Sequence, residues 1–420
     1  MATATTTVLE ACARAKLAAR DLARATTEQK NAALNALAGL LEERVDTILE
    51  ANAADLADER AAGLSDALRD RLALSAARVA AMADGVRAIA TLPDPVGEEL
   101  EHRTLESGID LRKVRTPLGV IAVIYEARPN VTVDCAALTL KSGNALVLRG
   151  SSYAARSNGA LAALVAEAVA GAGLPEGSVE LVGGGHGDLA ELAGADGLVD
   201  LVIPRGGEGL KDALKEVATV PVMYAASGNC HVYVHADADA DMARAIAVNA
   251  KVQRPGVCNA AETLLVNSEI AGSFLPAVLA ELNEAGVELV GDERARAASG
   301  PISVGEASGA DWDTEYHDLK LTVGVVDSLA EAVEHINGHG SGHSEAIVTG
   351  SEAAGDEFTA AVDAACVYVN ASTRFTDGFE FGLGAEIGNS TQKLHARGPI
   401  GLRELTSFKY VLHGDGTIRE

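Results

Sequence analysis

The sequence predicts an α/β protein in which parallel sheets are covered by helices on both faces. From residue 116 onward, short apolar runs rich in β-branched residues alternate with longer helical stretches. Such runs are typical of strands that are buried on both faces, and their alternation with helices favours parallel pairing. The chain has 420 residues, 48% of them hydrophobic and 22% charged, which suffices for more than one globular domain.

Capping residues, periodicity and turn residues define the elements before residue 116. Residues 5–90 predict several helices, and one of these is opened by a capping box of Thr26 and Gln29. Residues 98–115 predict a hairpin of two polar strands that turns at Ser107-Gly108. A hairpin with so few apolar residues is expected to pair with another part of the protein.

The rest of the chain predicts two consecutive α/β units and a late strand. The strands expected in the first unit are 119–124, 144–148, 179–182 and 198–203, with helices 136–141 and 154–172. Those expected in the second unit are 262–267, 287–290, 320–326, 345–349 and 366–370, with helices 240–252, 270–285 and 328–338. Near the C-terminus, residues 408–412 predict a strand that joins the polar hairpin.

The charge and the cysteine spacing restrict the class of function. A net charge of −26 argues against a protein that binds nucleic acid or an anionic membrane surface. No run of 18 apolar residues occurs, and residues 1–10 lack a basic segment before an apolar one. We therefore expect neither a membrane span nor a signal peptide. Five cysteines without a CxxC pair fit reduced thiols in the cytoplasm.

Cys258 is the cysteine whose surroundings indicate chemistry. It ends the segment Gln253-Arg-Pro-Gly-Val-Cys258, in which Pro-Gly predicts a turn that presents the thiol on a loop. A thiolate can attack a carbonyl carbon to form a covalent intermediate, and nearby cationic groups favour the thiolate. The other cysteines lie in apolar periodic segments and are predicted to be small buried residues; they are Cys12, Cys135, Cys230 and Cys366.

Asn130 follows the predicted strand 119–124 at the edge of the sheet where ligands bind in parallel α/β proteins. A side-chain amide at this edge can donate a hydrogen bond to the oxyanion that develops during acyl transfer. An equally good interpretation, from the residues alone, is a turn residue after Pro129.

The loop after strand 144–148 contains Arg149, Ser151 and Ser152 but no carboxylate. An arginine with two hydroxyls suits a 2′-phosphate, whereas an acidic residue would bind the free ribose hydroxyls of NAD. A capped helix start is the alternative. Two glycine-rich loops could hold a pyrophosphate at a helix N-terminus, Gly206-Gly207 and the segment 185–190, and the pattern alone does not choose between them.

Three histidines are spaced four residues apart, at His335, His339 and His343. On one helix this spacing would suggest metal ligands. Glycines at 338, 340 and 342 are predicted to break the helix, so that the three imidazoles would not share one face. We therefore predict no metal site.

Four segments together resemble a known family. They are residues 128–132, 253–258, 326–347 and 385–399, with the sequences RPNVT, QRPGVC, VDSLAEAVEHINGHGSGHSEAI and AEIGNSTQKLHARGP. With Cys258 and Asn130, these segments resemble the aldehyde dehydrogenase superfamily and, within it, the family of γ-glutamyl phosphate reductases, or glutamate-5-semialdehyde dehydrogenases. The resemblance covers residues 5 to 415.

The resemblance implies an aldehyde dehydrogenase-like fold of three parts. A Rossmann-type NADP-binding domain would take residues 1–96 and 116–250, and an α/β catalytic domain would take residues 251–392. A small β oligomerisation flap would take residues 97–115 and 393–420. The flap implies a homo-oligomer and gives the polar hairpin a purpose.

Two departures from ordinary aldehyde dehydrogenases bear on the chemistry. Their water-activating glutamate opens an E-L-G-G-K motif, whereas the matching segment 225–229 of this chain opens with Ala225. Their ribose-binding glutamate after strand 144–148 is replaced by Ser152. These replacements imply release to phosphate rather than to water, and NADPH rather than NADH as cofactor. Glu315 resembles the family glutamate that holds the nicotinamide ribose.

The implied reaction is the NADPH-dependent reduction of L-glutamyl 5-phosphate to L-glutamate 5-semialdehyde and phosphate, the second step of proline biosynthesis. Cys258 would carry the glutamyl group as a thioester, while Asn130 and the Cys258 backbone N–H would stabilise the oxyanion. Candidates for binding the substrate α-carboxylate are Arg128, Arg374 and Arg397. Association with a glutamate 5-kinase, which would shield the labile acyl phosphate, is left open.

Two other functions are compatible with the sequence. One is an NAD(P)-dependent aldehyde dehydrogenase that acts on another carboxylate-bearing aldehyde. The other is a catalytically inactive, nucleotide-binding scaffold protein, against which the presence of both Cys258 and Asn130 argues.

Overall fold

The computed structural model describes residues 7–183, 185–224 and 227–419. Contacts group them into two compact units. The first unit holds the described residues up to Tyr224, together with Gly382–Gly388 and the stretch from Ile400 onward. The second holds the described residues from Ser227 to Phe381 and the segment Asn389–Pro399. No helix in the described ranges is long and apolar enough to cross a membrane.

The first unit opens with five α-helices, in the region where the sequence predicts several. Both Thr7 with Glu10 and Thr26 with Gln29 form complete capping boxes, which satisfy the first free N–H groups of α1 and α2. The helices are α1 (Val8–Leu22), α2 (Thr27–Glu43), α3 (Val45–Leu56), α4 (Asp66–Leu72) and α5 (Ala76–Thr91).

A four-stranded parallel sheet forms the core of the first unit. Its elements are β3 (Val120–Tyr125), α6 (Asn130–Lys141), β4 (Ala145–Gly150), α7 (Ala155–Gly171), β5 (Val179–Val182), α8 (His186–Ala193), β6 (Leu201–Arg205) and α9 (Glu208–Val217). The strand order is β5-β4-β3-β6, and every residue of β3 is buried. The chain leaves β3 toward β4 on one side and returns to β6 on the other, so the carboxyl ends of these strands are the switch point at which open α/β sheets bind ligands.

Helix α6 begins at Asn130 and not at residue 136, where the sequence analysis placed its start. Pro129 already has helical dihedral angles, with φ −56° and ψ −33°. Proline is compatible with a first helical turn because its fixed φ suits that turn and its missing N–H would have no partner there. The earlier start brings Asn130 and Asp134 one helical turn apart on the same face.

The predicted hairpin and the late strand form a separate antiparallel sheet. Its strands are β1 (Glu99–Thr104), β2 (Asp110–Pro117) and, after the elements of the second unit, β16 (Thr406–His413), in the order β1-β2-β16. Strand β16 pairs with β2 along its whole length. Phe408, Tyr410 and Leu412 alternate along β16 on its exposed side.

A seven-stranded parallel sheet forms the core of the second unit, in the order β10-β9-β11-β8-β7-β12-β13. The first elements are β7 (Cys230–Val234), α10 (Ala240–Val252), β8 (Ala261–Asn267), α11 (Ser268–Glu284), β9 (Glu288–Gly291), α12 (Glu293–Ala298) and β10 (Gly305–Glu306). The remaining elements are β11 (Lys320–Val326), α13 (Leu329–His339), β12 (Ser344–Val348), α14 (Glu352–Ala361), β13 (Cys366–Val369), β14 (Asn389–Ser390) and β15 (Gly398–Pro399).

Strand β7 is absent from the sequence prediction. The five residues of β7 are buried, and the strand pairs with β8 on one side and β12 on the other. Strand β7 and the helix α10 that follows it both lie in the second compact unit, which the described residues enter at Ser227.

The histidine-rich segment departs from the prediction in one respect. Gly338 does not break the helix: α13 continues to His339 and ends at the cap residue Gly340. His335 and His339 therefore do share a helix face, with ring centroids 4.6 Å apart. His343 is buried beyond the helix and contacts the Ser344 hydroxyl through Nδ1. Across the described ranges, no group of three or more His, Cys, Asp and Glu side chains is arranged to hold a metal ion.

Candidate active site

Cys258 lies on the short loop between α10 and β8 in the second unit, and its side chain is partly exposed. The other four cysteines are buried. Burial raises the pKa of the Cys12 thiol to about 11 and also raises the pKa of Cys135 and Cys230, because a thiolate loses its hydration in an apolar environment. Of the five thiols, Cys258 is therefore the one that reagents in water can reach.

The backbone of Cys258 is held by the segment that leads into β7. The Cys230 thiol contacts the Cys258 carbonyl oxygen at 3.2 Å. Gly228 packs so closely that a Cβ atom built there would lie 1.6 Å from the same oxygen. Only glycine allows two backbone segments to approach in this way. The position of the nucleophile is therefore set partly by a segment almost thirty residues earlier in the chain.

The residue after Cys258 connects this loop to the segment that follows β13. The Asn259 side-chain amide donates to the carbonyl oxygens of Arg374 at 3.2 Å and Thr376 at 2.9 Å. In return, the Thr373 hydroxyl donates to the Asn259 carbonyl at 2.7 Å. These three bonds bring Arg374, a predicted substrate-binding residue, into the same cluster as Cys258.

Glu315 lies just after the 3₁₀ turn Gly309–Asp313. One carboxylate oxygen lies 3.3 Å from His317 Nε2, while the other is buried without a hydrogen-bond partner among the described residues. The same loop passes close to the turn before Cys258, because a Cβ atom at Gly256 would lie 3.5 Å from the His317 carbonyl oxygen. Glu315 and Cys258 are thus on neighbouring loops of the second unit.

A second carboxylate, Glu262, lies four residues after Cys258 on β8. Its side chain is completely buried, and Lys251 Nζ contacts it at 2.5 Å. Burial raises the pKa of Glu262 to about 7, while the charge of Lys251 opposes that shift. Because the carboxylate is held by a buried ammonium group, Glu262 is not exposed to water as a general base would need to be.

In the first unit, Asn130 is the first residue of α6, and its amide Nδ2 donates to Asp134 Oδ2 at 2.9 Å. A carboxylate can only accept, so Asp134 fixes which end of the Asn130 amide is the donor end. Burial raises the pKa of Asp134 to about 6. The hydrogen bond from the Asn130 side chain and the charge of the nearby Arg205 guanidinium both oppose this rise. Among the described residues, Asp134 thus engages one N–H of the amide and leaves the second to donate elsewhere.

Apart from Glu315, the residues predicted to bind the cofactor lie at the carboxyl ends of β4 and β6, on either side of β3. Tyr125, the last residue of β3, is paired with Gly150 of β4 and with Arg205 of β6, so the three strands end side by side. Arg149 Nη2 donates to the Gly185 carbonyl at 2.9 Å. Ser151 Oγ accepts from the Ala127 N–H at 3.2 Å, which leaves its own O–H to donate.

Ser152 opens a 3₁₀ turn that precedes α7, so its position also matches the alternative of a helix start. Of the two glycine-rich loops, the one before α8 already binds a carboxylate of the chain, because the Gly185 N–H donates to Asp188 Oδ2 at 2.9 Å. At the N-terminus of α9, Gly207 has open space where a Cβ would be.

The α9 end is not free of acidic groups, because Glu126 Oε2 lies 3.4 Å from the Gly207 N–H. Gly206 is confined, since a Cβ there would lie 2.7 Å from Leu210 Cδ2 and 2.9 Å from the Glu126 carboxyl carbon. The contact between N–H and carboxylate is therefore longer in the Gly206-Gly207 loop, at 3.4 Å, than in the loop before α8, at 2.9 Å.

The other two arginines predicted to bind substrate have different surroundings. Arg128 lies between β3 and α6 in the first unit and is partly buried. In the second unit, Arg397 Nη2 donates to Asp363 Oδ1 at 2.9 Å, and Lys393 contacts the other oxygen of the same carboxylate. The Arg397 guanidinium is thus already paired with a carboxylate of this chain.

Sequence reasoning missed several residues that shape the site. Asp134 had a readable signal, the i, i+4 spacing from Asn130, but the predicted helix started too late to use it. Gly228 and Cys230 had none, because their contact with Cys258 depends on the pairing of β7 with β8. Residues 225 and 226 lie outside the described residues, and so does the predicted replacement of the general base by Ala225.

Comparison with known proteins identifies the family. The aldehyde dehydrogenase family profile matches residues 1–304. The γ-glutamyl phosphate reductase of Moorella thermoacetica is 55% identical over 408 residues, which cover 97% of each chain. The crystal structure of γ-glutamyl phosphate reductase from Thermotoga maritima matches with a TM-score of 0.95 and 45% identity, covering 98% of this chain and 100% of that one. An engineered glycolyl-CoA reductase with bound NADP⁺ shares the fold at 16% identity, with a TM-score of 0.67 over 97% of this chain and 96% of that one.

The chain therefore belongs to the aldehyde dehydrogenase family. Within that family it belongs to the γ-glutamyl phosphate reductases. The resemblance found in the sequence and the predicted α/β fold are both confirmed. The residue roles implied by the resemblance remain predictions.

Proposed function

We propose that the chain reduces L-glutamyl 5-phosphate to L-glutamate 5-semialdehyde and phosphate with NADPH, the second step of proline biosynthesis. The proposal rests on one observation: Cys258 is the accessible cysteine among five, on a loop held from both sides, in a chain 55% identical to a γ-glutamyl phosphate reductase. An accessible thiol on a fixed loop is what a covalent acyl-transfer mechanism requires.

Cys258 begins the reaction as a nucleophile. Its thiolate attacks the acyl carbon of the substrate, the C–S bond forms, and the C–O bond to phosphate breaks, so that phosphate leaves with the electron pair. We assign stabilisation of the intermediate oxyanion to the Asn130 amide and the Cys258 backbone N–H. The bond from Asn130 to Asp134 supports this role because it orients the donor end of the amide in advance.

The residues at the carboxyl ends of β4 and β6 have the donors that NADP(H) needs. Arg149, Ser151 and Ser152 supply a positive charge and two hydroxyls for the 2′-phosphate. The Gly206-Gly207 N-terminus of α9 suits the pyrophosphate, which would replace the Glu126 carboxylate at the Gly207 N–H. Glu315, with one buried oxygen lacking a partner, suits the nicotinamide ribose hydroxyls.

When bound, NADPH supplies the hydride that reduces the acyl group to the aldehyde. Cys258 is then released as a thiolate, and the semialdehyde cyclises without the enzyme. Ala225 stands where ordinary aldehyde dehydrogenases carry the water-activating glutamate. The absence of that carboxylate from the motif favours a thioester that reacts with phosphate in the reverse direction rather than with water.

The same proposal assigns a role to each part of the chain. We assign cofactor binding to residues 1–96 and 116–250, catalysis to residues 251–392, and oligomerisation to the flap of residues 97–115 and 393–420. The exposed aromatic and aliphatic side chains of β16 support a homo-oligomer formed through that flap. We place the enzyme in the cytoplasm, where its thiols stay reduced. Association with a glutamate 5-kinase rests only on the lability of the acyl phosphate.

A steady-state assay in the oxidative direction tests the proposed function. With L-glutamate 5-semialdehyde, we expect NADP⁺ reduction that depends on inorganic phosphate and is at least about tenfold more efficient with NADP⁺ than with NAD⁺, because a 2′-phosphate pairs with Arg149. Oxidation that proceeds equally well without phosphate would instead indicate a hydrolytic aldehyde dehydrogenase and would contradict the proposal.

A further inference from the structure

We infer that Arg254 and Arg374 form the subsite that binds the phosphate group of the substrate and, in the reverse direction, inorganic phosphate. The inference rests on the proposed function and deepens it. It also gives Arg374 a different anion from the α-carboxylate that the sequence suggested.

The backbone of Arg374 is fixed beside the nucleophile. Asn259 follows Cys258 directly, and its side chain donates to the Arg374 carbonyl at 3.2 Å. The backbone N–H of Arg374 donates to Ser372 Oγ at 3.3 Å, within the 3₁₀ turn Thr373–Phe375. These two hydrogen bonds fix the position of the Arg374 backbone, from which the side chain extends.

The side chain of Arg374 is oriented by the loop that carries Cys258. Its Nε donates to Gln253 Oε1 at 2.8 Å, and Gln253 is the residue before Arg254. This bond uses one of the five N–H donors of the guanidinium and leaves the four on the two Nη atoms. No carboxylate within the described residues forms a salt bridge with Arg374 or Arg254. By contrast, Arg244, Arg294 and Arg397 of the same unit each form at least one.

The electrostatic surroundings of Arg374 include a second cation, Arg254. Partial burial lowers the pKa of the Arg374 guanidinium, and the charge of Arg254 lowers it further. Asp377 and the Cys258 thiol act in the opposite direction. Arginine does not lose its proton in proteins, so both cations stay charged and can bind an anion between or beside them.

The chemistry of the substrate decides which anion this is. In L-glutamyl 5-phosphate, the phosphate oxygen is bonded to the carbon that Cys258 attacks, whereas the α-carboxylate is separated from that carbon by three others. Cations tied to the Cys258 loop are therefore placed for the phosphate. Arginine also suits phosphate because its N–H groups can bind two oxygens at once.

The two arginines would act in both directions of the reaction. In the forward direction, negative charge accumulates on the departing phosphate as the C–O bond breaks, and the guanidinium groups neutralise it. In reverse, a phosphate oxygen attacks the thioester carbon, the C–O bond forms, the C–S bond breaks, and Cys258 leaves as the thiolate.

The test compares Arg374→Gln and Arg254→Gln with the parent enzyme in phosphate-dependent oxidation of the semialdehyde. We expect the KM for phosphate to rise about tenfold or more in each variant, while the KM for the semialdehyde changes less than about twofold. Arg374→Lys keeps the charge but loses the paired donors, so its KM for phosphate should lie between those of the parent enzyme and Arg374→Gln. Arg244→Gln is the matched control, since Arg244 pairs with Asp241 on the surface of α10, and it should leave both constants unchanged.

A measurement without turnover checks the same subsite. Inorganic phosphate should slow the alkylation of Cys258 by iodoacetamide in the parent enzyme and in Arg244→Gln, but not in Arg254→Gln, whose exposed side chain is dispensable for folding. A raised KM for the semialdehyde with an unchanged KM for phosphate would show that the arginines bind the α-carboxylate, and would overturn the inference. If the parent enzyme itself needs no phosphate, the proposed function fails first, and the two failures are thereby distinguished.

Discussion

Replacing Cys258 with alanine is expected to lower the rate of phosphate-dependent semialdehyde oxidation by about a thousandfold or more, because the covalent route then has no nucleophile. The substitution removes one partly exposed sulfur atom and leaves intact the bonds of Asn259 and of the Cys258 backbone. The variant should therefore fold with a thermal midpoint close to that of the parent. NADPH formation followed at 340 nm measures the loss of activity.

Cys12→Ala provides the matched control for the sulfur deletion. Cys12 is completely buried in α1, and removing its thiol should lower the free energy of unfolding by about 1 kcal/mol while leaving the specific activity unchanged. The two variants should thus show opposite behaviour, one losing activity and the other losing stability. A Cys258→Ala enzyme that keeps more than a tenth of the parent rate would show that no acyl group passes through this sulfur.

Gly228→Ala is expected to reduce both activity and stability. The added Cβ would lie 1.6 Å from the Cys258 carbonyl oxygen, 2.3 Å from its carbonyl carbon and 2.5 Å from its Cα. These are backbone atoms, so no rotamer change can relieve the overlap, and one of the two segments must move. A displacement of this size at a nucleophile lowers kcat by about a hundredfold, and the strain should destabilise the fold by about 3 kcal/mol.

Gly272→Ala is the control for the glycine substitution. Gly272 lies within α11, where a Cβ meets no atom within 4 Å, so alanine should stabilise the protein by about 0.5–1 kcal/mol and leave kcat unchanged. Urea unfolding and the NADPH assay on the same preparations separate the two effects. Parent-like kcat and stability in Gly228→Ala would mean that Gly228 does not pack against the nucleophile loop.

Most of the fold could be predicted because its signals are local. Fully buried strands such as Val120–Tyr125 are recognisable as short β-branched runs, and helices such as Thr27–Glu43 are recognisable from a capping box and apolar spacing. Strand β7 (Cys230–Val234) lacks such a signal, since its five residues mix apolar side chains with His231, and only its pairing with two neighbours accounts for its burial.

The candidate site also has residues that the sequence could predict and contacts that it could not. Cys258 and Asn130 were found from their place after a turn and after a strand, which the sequence shows directly. The bond between Asn259 and Arg374 could not be predicted, because it joins residues more than a hundred positions apart. The same applies to the buried contact of Lys251 with Glu262, where two charges eleven residues apart compensate each other inside the second unit.

The central claim is that Cys258 holds the glutamyl group and passes it to phosphate and not to water. Mixing the enzyme with semialdehyde and NADP⁺ in the absence of phosphate tests it most directly. We expect a burst of about one NADPH per chain followed by a halt, a glutamyl adduct on the peptide that contains Cys258, and renewed turnover when phosphate is added. Continued NADPH formation without phosphate, or an adduct on another residue, would contradict the claim.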